Sequence, residues 1–172
     1  LGWLKFSKPK VTIRYRVRVP KVMDLKLKTT NGSIDVRDIE GNGDLHTTNG
    51  SIEFFGLSGQ VKARTTNGSL RGSAVRGELT LSNTNGRIIM DNIAGTVEAR
   101  TTNGKIALSL RETELTKSIH CKTTNGSIEI GLPKTTRAHM KARTSNGKVH
   151  TDIPVTVSGT LKKNRIDGEM NG

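Results

Sequence analysis

The chain has 172 residues, a net charge of +13, 32% hydrophobic residues and 3% aromatics. That length suits one domain, but so little apolar content with so much charge can bury a core only if the residues repeat regularly. No stretch of eighteen apolar residues occurs, and the start does not resemble a signal peptide, so neither a membrane-spanning helix nor a leader is expected within it.

Taken in chain order, the first element expected is a strand from Val11 to Val19. Val11, Ile13, Tyr15, Val17 and Val19 share one face, Arg14, Arg16 and Arg18 the other, and Pro20 ends the run. Trp3, Leu4 and Phe6 ahead of it read as a plug over the open end of a core. Residues 1–20 are thus expected to form a cap and first strand.

From residue 21 the chain becomes periodic. Asn-Gly corners stand at Asn31-Gly32, Asn49-Gly50, Asn67-Gly68, Asn85-Gly86, Asn103-Gly104, Asn125-Gly126 and Asn146-Gly147, with one more pair at Asn171. The first four steps are 18 residues each, and the next are 22, 21 and 25. A fixed period with later insertions marks an array of stacked units with loops growing out of it. Residues 21–110 are expected to be regular coils. Residues 111–172 are expected to be coils with longer loops, at 111–118, 133–138 and 154–165, and an incomplete last coil that leaves an open end.

Aligned on the asparagine, each column holds one kind of residue. Three places after it stand Ile34, Ile52, Leu70, Ile88, Ile106, Ile128 and Val149, and four before it Leu27, Leu45, Ala63, Leu81, Ala99, Cys121 and Ala142. Further apolar columns fall five and eight places after it. Period-two alternation on both sides of the corner means strands with one buried face. At the corner, glycine is expected to supply a positive φ, and a second bend is expected at Gly41, Gly59, Gly77 and Gly95. Thr29, Thr47, Thr65, Asn83, Thr101, Thr123 and Thr144 fall in the inward phase, as do the corner asparagines, and are expected to form internal ladders. A meander of hairpins is the rival reading of Asn-Gly between alternating runs. Uniformity across seven copies favours an all-β, single-domain parallel β-solenoid (β-helix) with coils of about 18 residues, right-handed as parallel connections are.

The sequence Leu25-x-Leu27-x-Thr-Thr-Asn-Gly-x-Ile34, preceded by Val-Arg-Val-Pro20 and followed by repeated Gly-x-Val-x-Ala-x-Thr-Thr-Asn-Gly, resembles the bacterial β-strand-repeat family called domain of unknown function 4097, often labelled an adhesin family. The resemblance implies a β-solenoid of the bacterial envelope, outside the cytoplasm, with no catalytic residues to carry over. The chain begins at Leu1 rather than Met, which leaves room for a removed targeting segment.

Candidate chemistry is sparse. Cys121 and His120 are strand neighbours and point to opposite faces, so a nucleophile-base pair is not expected; Cys121 falls in a core column. Asp35 and Glu53 share an outward column at about the spacing of a retaining glycosidase, but the column continues as Arg71, Ile89 and Ala107. His46, His120, His139 and His150 have no metal-ligand spacing, so neither metal nor cofactor is expected. An outward threonine column, Thr30 to Ser145, is the pattern of ice-ordering solenoids, but charged flanks spoil it.

One surface pattern stands out. Three before the asparagine stand Lys28, His46, Arg64, Ser82, Arg100, Lys122 and Arg143; five before it stand Lys26, Asp44, Lys62, Thr80, Glu98, His120 and Lys141. Stacked, Lys26, Lys28, Lys62, Arg64, Arg100, Lys122, Lys141 and Arg143 would form a basic strip suited to an anionic glycopolymer or anionic lipid surface. The bland alternative is that these cations only keep the face soluble. Nucleic acid is a weaker candidate partner, because threonine rather than aromatic residues interleaves the cations. The expectation is therefore a non-enzymatic, adhesin-like envelope module. Its main competitor is a self-assembling scaffold whose rods join end to end, and a polysaccharide-active β-helix enzyme is the remote third.

Overall fold

The computed structural model describes residues 16–111, 118–133, 136–152 and 156–171. These residues form strands and no helix. The coils are built from β1 (Leu25–Lys28), β2 (Ile34–Glu40), β3 (Gly43–Asn49), β4 (Ile52–Asn67), β5 (Leu70–Asn85), β6 (Ile88–Arg100), β7 (Ile106–Leu110), β8 (Ser118–Asn125), β9 (Ile128–Gly131), β10 (Ala138–Asn146) and β11 (Val149–Thr151). Two further strands follow, β12 (Thr156–Lys162) and β13 (Arg165–Asn171).

Every pairing among β1 to β11 is parallel, and the 18-residue period sets the register. Ile52 lies opposite Leu70, Leu70 opposite Ile88 and Ile88 opposite Ile106, and across the longer 22-residue step Ile106 still lies opposite Ile128. After the insertion at 111–118 the columns resume, with Ala99 opposite Cys121 and Cys121 opposite Ala142. The chain is thus a parallel β-solenoid and not a meander. Its core is the stack of inward columns, including Leu45, Ile52, Leu70, Ile88, Ile106 and Ile128, all inaccessible to solvent. Each coil buries too little alone and relies on the neighbours above and below.

Each coil bends three times. The bend at Gly41, Gly59, Gly77 and Gly95 has φ between 127° and 149°, as expected. A further bend seven places after the asparagine was not anticipated: Asp38, Gly56, Ala74 and Asn92 adopt φ between 54° and 65°. Asp, Gly and Asn tolerate this left-handed region best, so that column did carry a signal.

The corner glycines depart from expectation. Only Gly86 and Gly126 have a positive φ there; Gly68 and the others do not. What excludes a side chain is contact: a Cβ on Gly68 would overlap the carbonyl of Gly50, and one on Gly50 the carbonyl of Gly32.

The polar ladders divide in two. Thr47, Thr65, Thr101, Thr123 and Thr144 are buried, and each hydroxyl donates to the corner-glycine carbonyl of the preceding coil, at 2.8–3.3 Å. The corner asparagines are exposed rather than internal, because the turn carries them out of the inward phase. Their amides still form a ladder, each Nδ2 donating to the Oδ1 of the preceding coil at 2.7–2.9 Å. Asn83 is the misfit in the threonine column. Its Nδ2 donates to the Gly68 carbonyl at 2.8 Å, but its Oδ1 is buried without a partner. Asn83→Thr removes that orphan acceptor and keeps a donor to Gly68, so it is expected to stabilise the protein by about 1 kcal/mol. The denaturant midpoint should rise with an unchanged m-value; a fall would show that the orphan costs nothing.

Both ends differ from the sequence reading. The plug residues Trp3, Leu4 and Phe6 and the strand positions up to Tyr15 lie outside the described residues. The described remainder, Arg16 to Val19, is not a strand, and Val17 is 77% exposed. The 18-residue register would place Val17 and Val19 against the outward positions Asp35 and Arg37, so this segment cannot turn its apolar side inward there. At the other end the described residues do not leave the β10 side of the last coil open. β13 runs antiparallel to β10, with Ile166 opposite Ala142, and hairpins back to β12, where Asn171 faces Thr156. Ile166 is buried, and the turn carbonyls of Lys163 and Asn164 accept from Val149 and Thr144. The edge of β10 is therefore occupied and cannot take a further parallel coil.

Candidate functional site

The two basic columns assemble as the spacing requires. Lys28, His46, Arg64, Ser82, Arg100, Lys122 and Arg143 are successive partners, as are Lys26, Asp44, Lys62, Thr80, Glu98, His120 and Lys141. All eight cations of the expected strip are exposed. They share one face because β1, β3, β10, β8 and the second halves of β4, β5 and β6 lie side by side. At about 4.8 Å per strand, six steps give a strip roughly 30 Å long.

The hairpin extends it, which sequence spacing could not show. Antiparallel pairing brings Arg165 opposite Arg143 and Asp167 opposite Lys141. Across both columns, nine cations then face three carboxylates, Asp44, Glu98 and Asp167. Arg100 pairs with Glu98 at 2.5 Å; Asp167 accepts from Arg165 at 2.6 Å and lies 3.7 Å from Lys141. The Arg165 hydrogen bond holds the Asp167 carboxyl below the usual range. Among the described residues, Lys26, Lys28, Lys62, Arg64, Lys122 and Arg143 have no carboxylate within ion-pair distance. Partial desolvation, then the nearby Arg100, lowers the pKa of His120, which favours its neutral form on this face.

The side that follows the corner has a different balance. Asp35 and Glu53 are neighbours as expected, but Asp35 pairs with Arg37 at 3.1 Å and Glu53 lies 3.9 Å from Arg71. Further along, small Ala107, Ser109 and Gly131 floor an open recess of about 410 Å³ between Ile89 and Asp91 on one side and Glu129, His150 and Asp152 on the other. Glu129 is tied to Lys105 at 2.6 Å, and Asp152 accepts from the Leu132 amide at 3.1 Å. Among the described residues no cluster of His, Cys, Asp or Glu has the arrangement of a metal site. Cys121 is fully buried, and burial pushes its thiol up to about 12, so it resists forming the thiolate that a nucleophile needs.

Stacked parallel coils with matching side-chain columns and glycine corners define a β-solenoid repeat protein. The chain belongs to the Toastrack family, a domain of unknown function (DUF4097), whose pattern matches residues 17–172. No curated protein and no solved structure gives a significant match to it.

Proposed function

We propose that this protein is a non-catalytic adhesive or structural module of the bacterial envelope whose rod presents its basic strip to an extended polyanion, an anionic glycopolymer in particular. The observation that supports this reading is the concentration of cations on one face, nine against three carboxylates, with Arg100, Lys122, Arg143 and Arg165 directly stacked on one another. Neighbours one or two coils apart lie within a Debye length of about 8 Å at physiological salt, or close to it, so their fields add. Like charges stacked in a sheet cost stability, and a linear polyanion laid along the strip would relieve that cost. Threonines flank the cations where a nucleic-acid binder would place aromatic platforms, which favours a saccharide or lipid-headgroup polyanion. The end-to-end scaffold is less favoured, because the hairpin occupies the β10 edge that a further coil would use.

The test is charge reversal with a matched control. Arg64→Glu with Lys122→Glu removes two unpaired strip cations; both positions are exposed, position 64 lies between His46 and Ser82, and the carboxylate at 122 gains Arg100 and Arg143 as neighbours, so folding should be retained. Binding to an anionic glycopolymer or to anionic vesicles should fall at least about tenfold, and wild-type binding should weaken steeply with salt. The control is Arg76→Glu with Arg111→Glu, exposed cations ahead of the Gly77 bend and at the end of β7, away from the strip strands, with no ion-pair partner among the described residues. Equal losses from both pairs would mean that only the net charge of +13 attracts polyanions and that the strip is not a site.

A further inference from the structure

Asn-Gly is the peptide link most open to self-modification. The glycine nitrogen, unhindered by a side chain, attacks the asparagine carboxamide carbon. A C–N bond forms, the carboxamide nitrogen leaves as ammonia, and water opens the resulting succinimide to aspartate or isoaspartate. The rod displays seven such corners on its surface, and its structure treats them unequally.

In the five interior corners both reacting groups are held. The N–H of Gly50, Gly68, Gly86, Gly104 and Gly126 donates to the asparagine carbonyl of the next coil at 2.9–3.2 Å. The matching carboxamides each donate to the preceding coil and accept from the following one. Rotating such a carboxamide toward its glycine breaks two ladder bonds, and freeing the nitrogen breaks a third. The last corner lacks these restraints. Asn146 donates to Asn125 at 2.7 Å, but nothing follows to hold its Oδ1, and the Gly147 N–H has no partner among the described residues. Gly147 is also exposed, whereas the other six corner glycines are partly covered. Asn31 is intermediate: its Oδ1 is held by Asn49, and Gly32 is half-covered.

We propose that Asn146-Gly147 is a site of spontaneous deamidation and isoaspartate formation, and that the asparagine ladder protects the interior corners from the same reaction. The product is a carboxylate that can no longer donate to Asn125. It removes the last rung of the ladder and places a negative charge in the corner between Arg143 and Lys148.

The folded protein is incubated at mildly alkaline pH and mapped by proteolysis and mass spectrometry, with isoaspartate assayed on each corner peptide. Asn146 is expected to convert about tenfold faster than Asn67, Asn85 or Asn103, a ratio equal to a barrier difference of about 1.4 kcal/mol. Asn42-Gly43, with Gly43 buried in β3, should stay with the slow set. Asn171-Gly172, whose glycine lies outside the described residues, falls on its own peptide and does not enter the comparison. In urea the corner rates should converge. Interior corners that keep pace with Asn146 in the folded protein would overturn the proposal, and so would a lead for Asn146 that persists unchanged in urea.

Discussion

Ile88→Asp is expected to abolish cooperative folding of the central coils. Ile88 is inaccessible to solvent, between Leu70 and Ile106 in one column. Losing its burial costs about 1.5–3 kcal/mol. The carboxyl that replaces it lies between the aliphatic Leu70 and Ile106, and burying an unpartnered polar group adds a comparable or larger cost. The sum reaches the exceptional range of roughly 4–5 kcal/mol or more, against a usual domain stability of about 5–15 kcal/mol. Coils contact only their neighbours, so a defect at β6 interrupts the rod rather than one end of it. Ile89→Asp is the companion measurement. Ile89 is the next residue but half-exposed, opposite Arg71 and Ala107, and its carboxylate would be hydrated beside a cation. Thermal melts followed by far-ultraviolet circular dichroism should show the transition lost or much lowered in the first variant and little changed in the second. Equal shifts would mean that the inward and outward assignment of β6 is wrong.

The coil architecture was legible because stacking forces a column to hold one kind of residue, and seven copies make columns visible without any structure. Leu45, Ala63, Leu81 and Ala99 could be placed in the core, and Lys28, Arg64 and Lys122 on the surface, by counting from the asparagine. The methods of counting fail where the chain leaves its period. Residues 156–171 end on the asparagine of a further Asn-Gly, yet they reverse direction, because antiparallel pairing seats Ile166 over the end of the core. Arg165 and Asp167 could not be assigned to the strip for the same reason. Parity counting also fails through a turn: it placed the corner asparagines inside, whereas the chain's change of direction puts Asn67 and Asn85 at the surface. The bend at Asp38, Gly56, Ala74 and Asn92 carried its signal in three residues of the four, and Ala74 diluted it.

Gly68→Ala should destabilise the rod far more than Gly43→Ala, although both add a single methyl group. Sequence reasoning gave positive φ as the reason for glycine at the corner, but Gly68 does not lie in the left-handed region. If backbone conformation were the constraint, alanine would be accepted there. The obstacle is instead the Gly50 carbonyl, whose oxygen and carbon a Cβ on Gly68 would overlap. That neighbour is backbone fixed in the stack, and the Gly68 N–H is itself bonded to the Asn85 carbonyl, so relief requires two coils to separate locally. Separation also strains the Asn67 to Asn49 rung and the Thr65 bond to the Gly50 carbonyl, which share that corner. Overpacking costs about 1–3 kcal/mol where side chains can yield, and more is expected where only backbone can move. At Gly43, by contrast, an added Cβ would meet side-chain carbons of Leu57, Val61 and Leu45 at 3.9–4.0 Å, ordinary contact distances. Gly43→Ala should be neutral or stabilising by about 0.4–1 kcal/mol, through the lowered entropy of the unfolded chain. Denaturant titration of the two variants decides the matter: a cost at Gly68 below about 1 kcal/mol, the scale of an ordinary glycine-to-alanine change, would show that the corner can open without disturbing its neighbours. A large cost at Gly68 alone would establish that glycine is required there by the closeness of the coil beneath it.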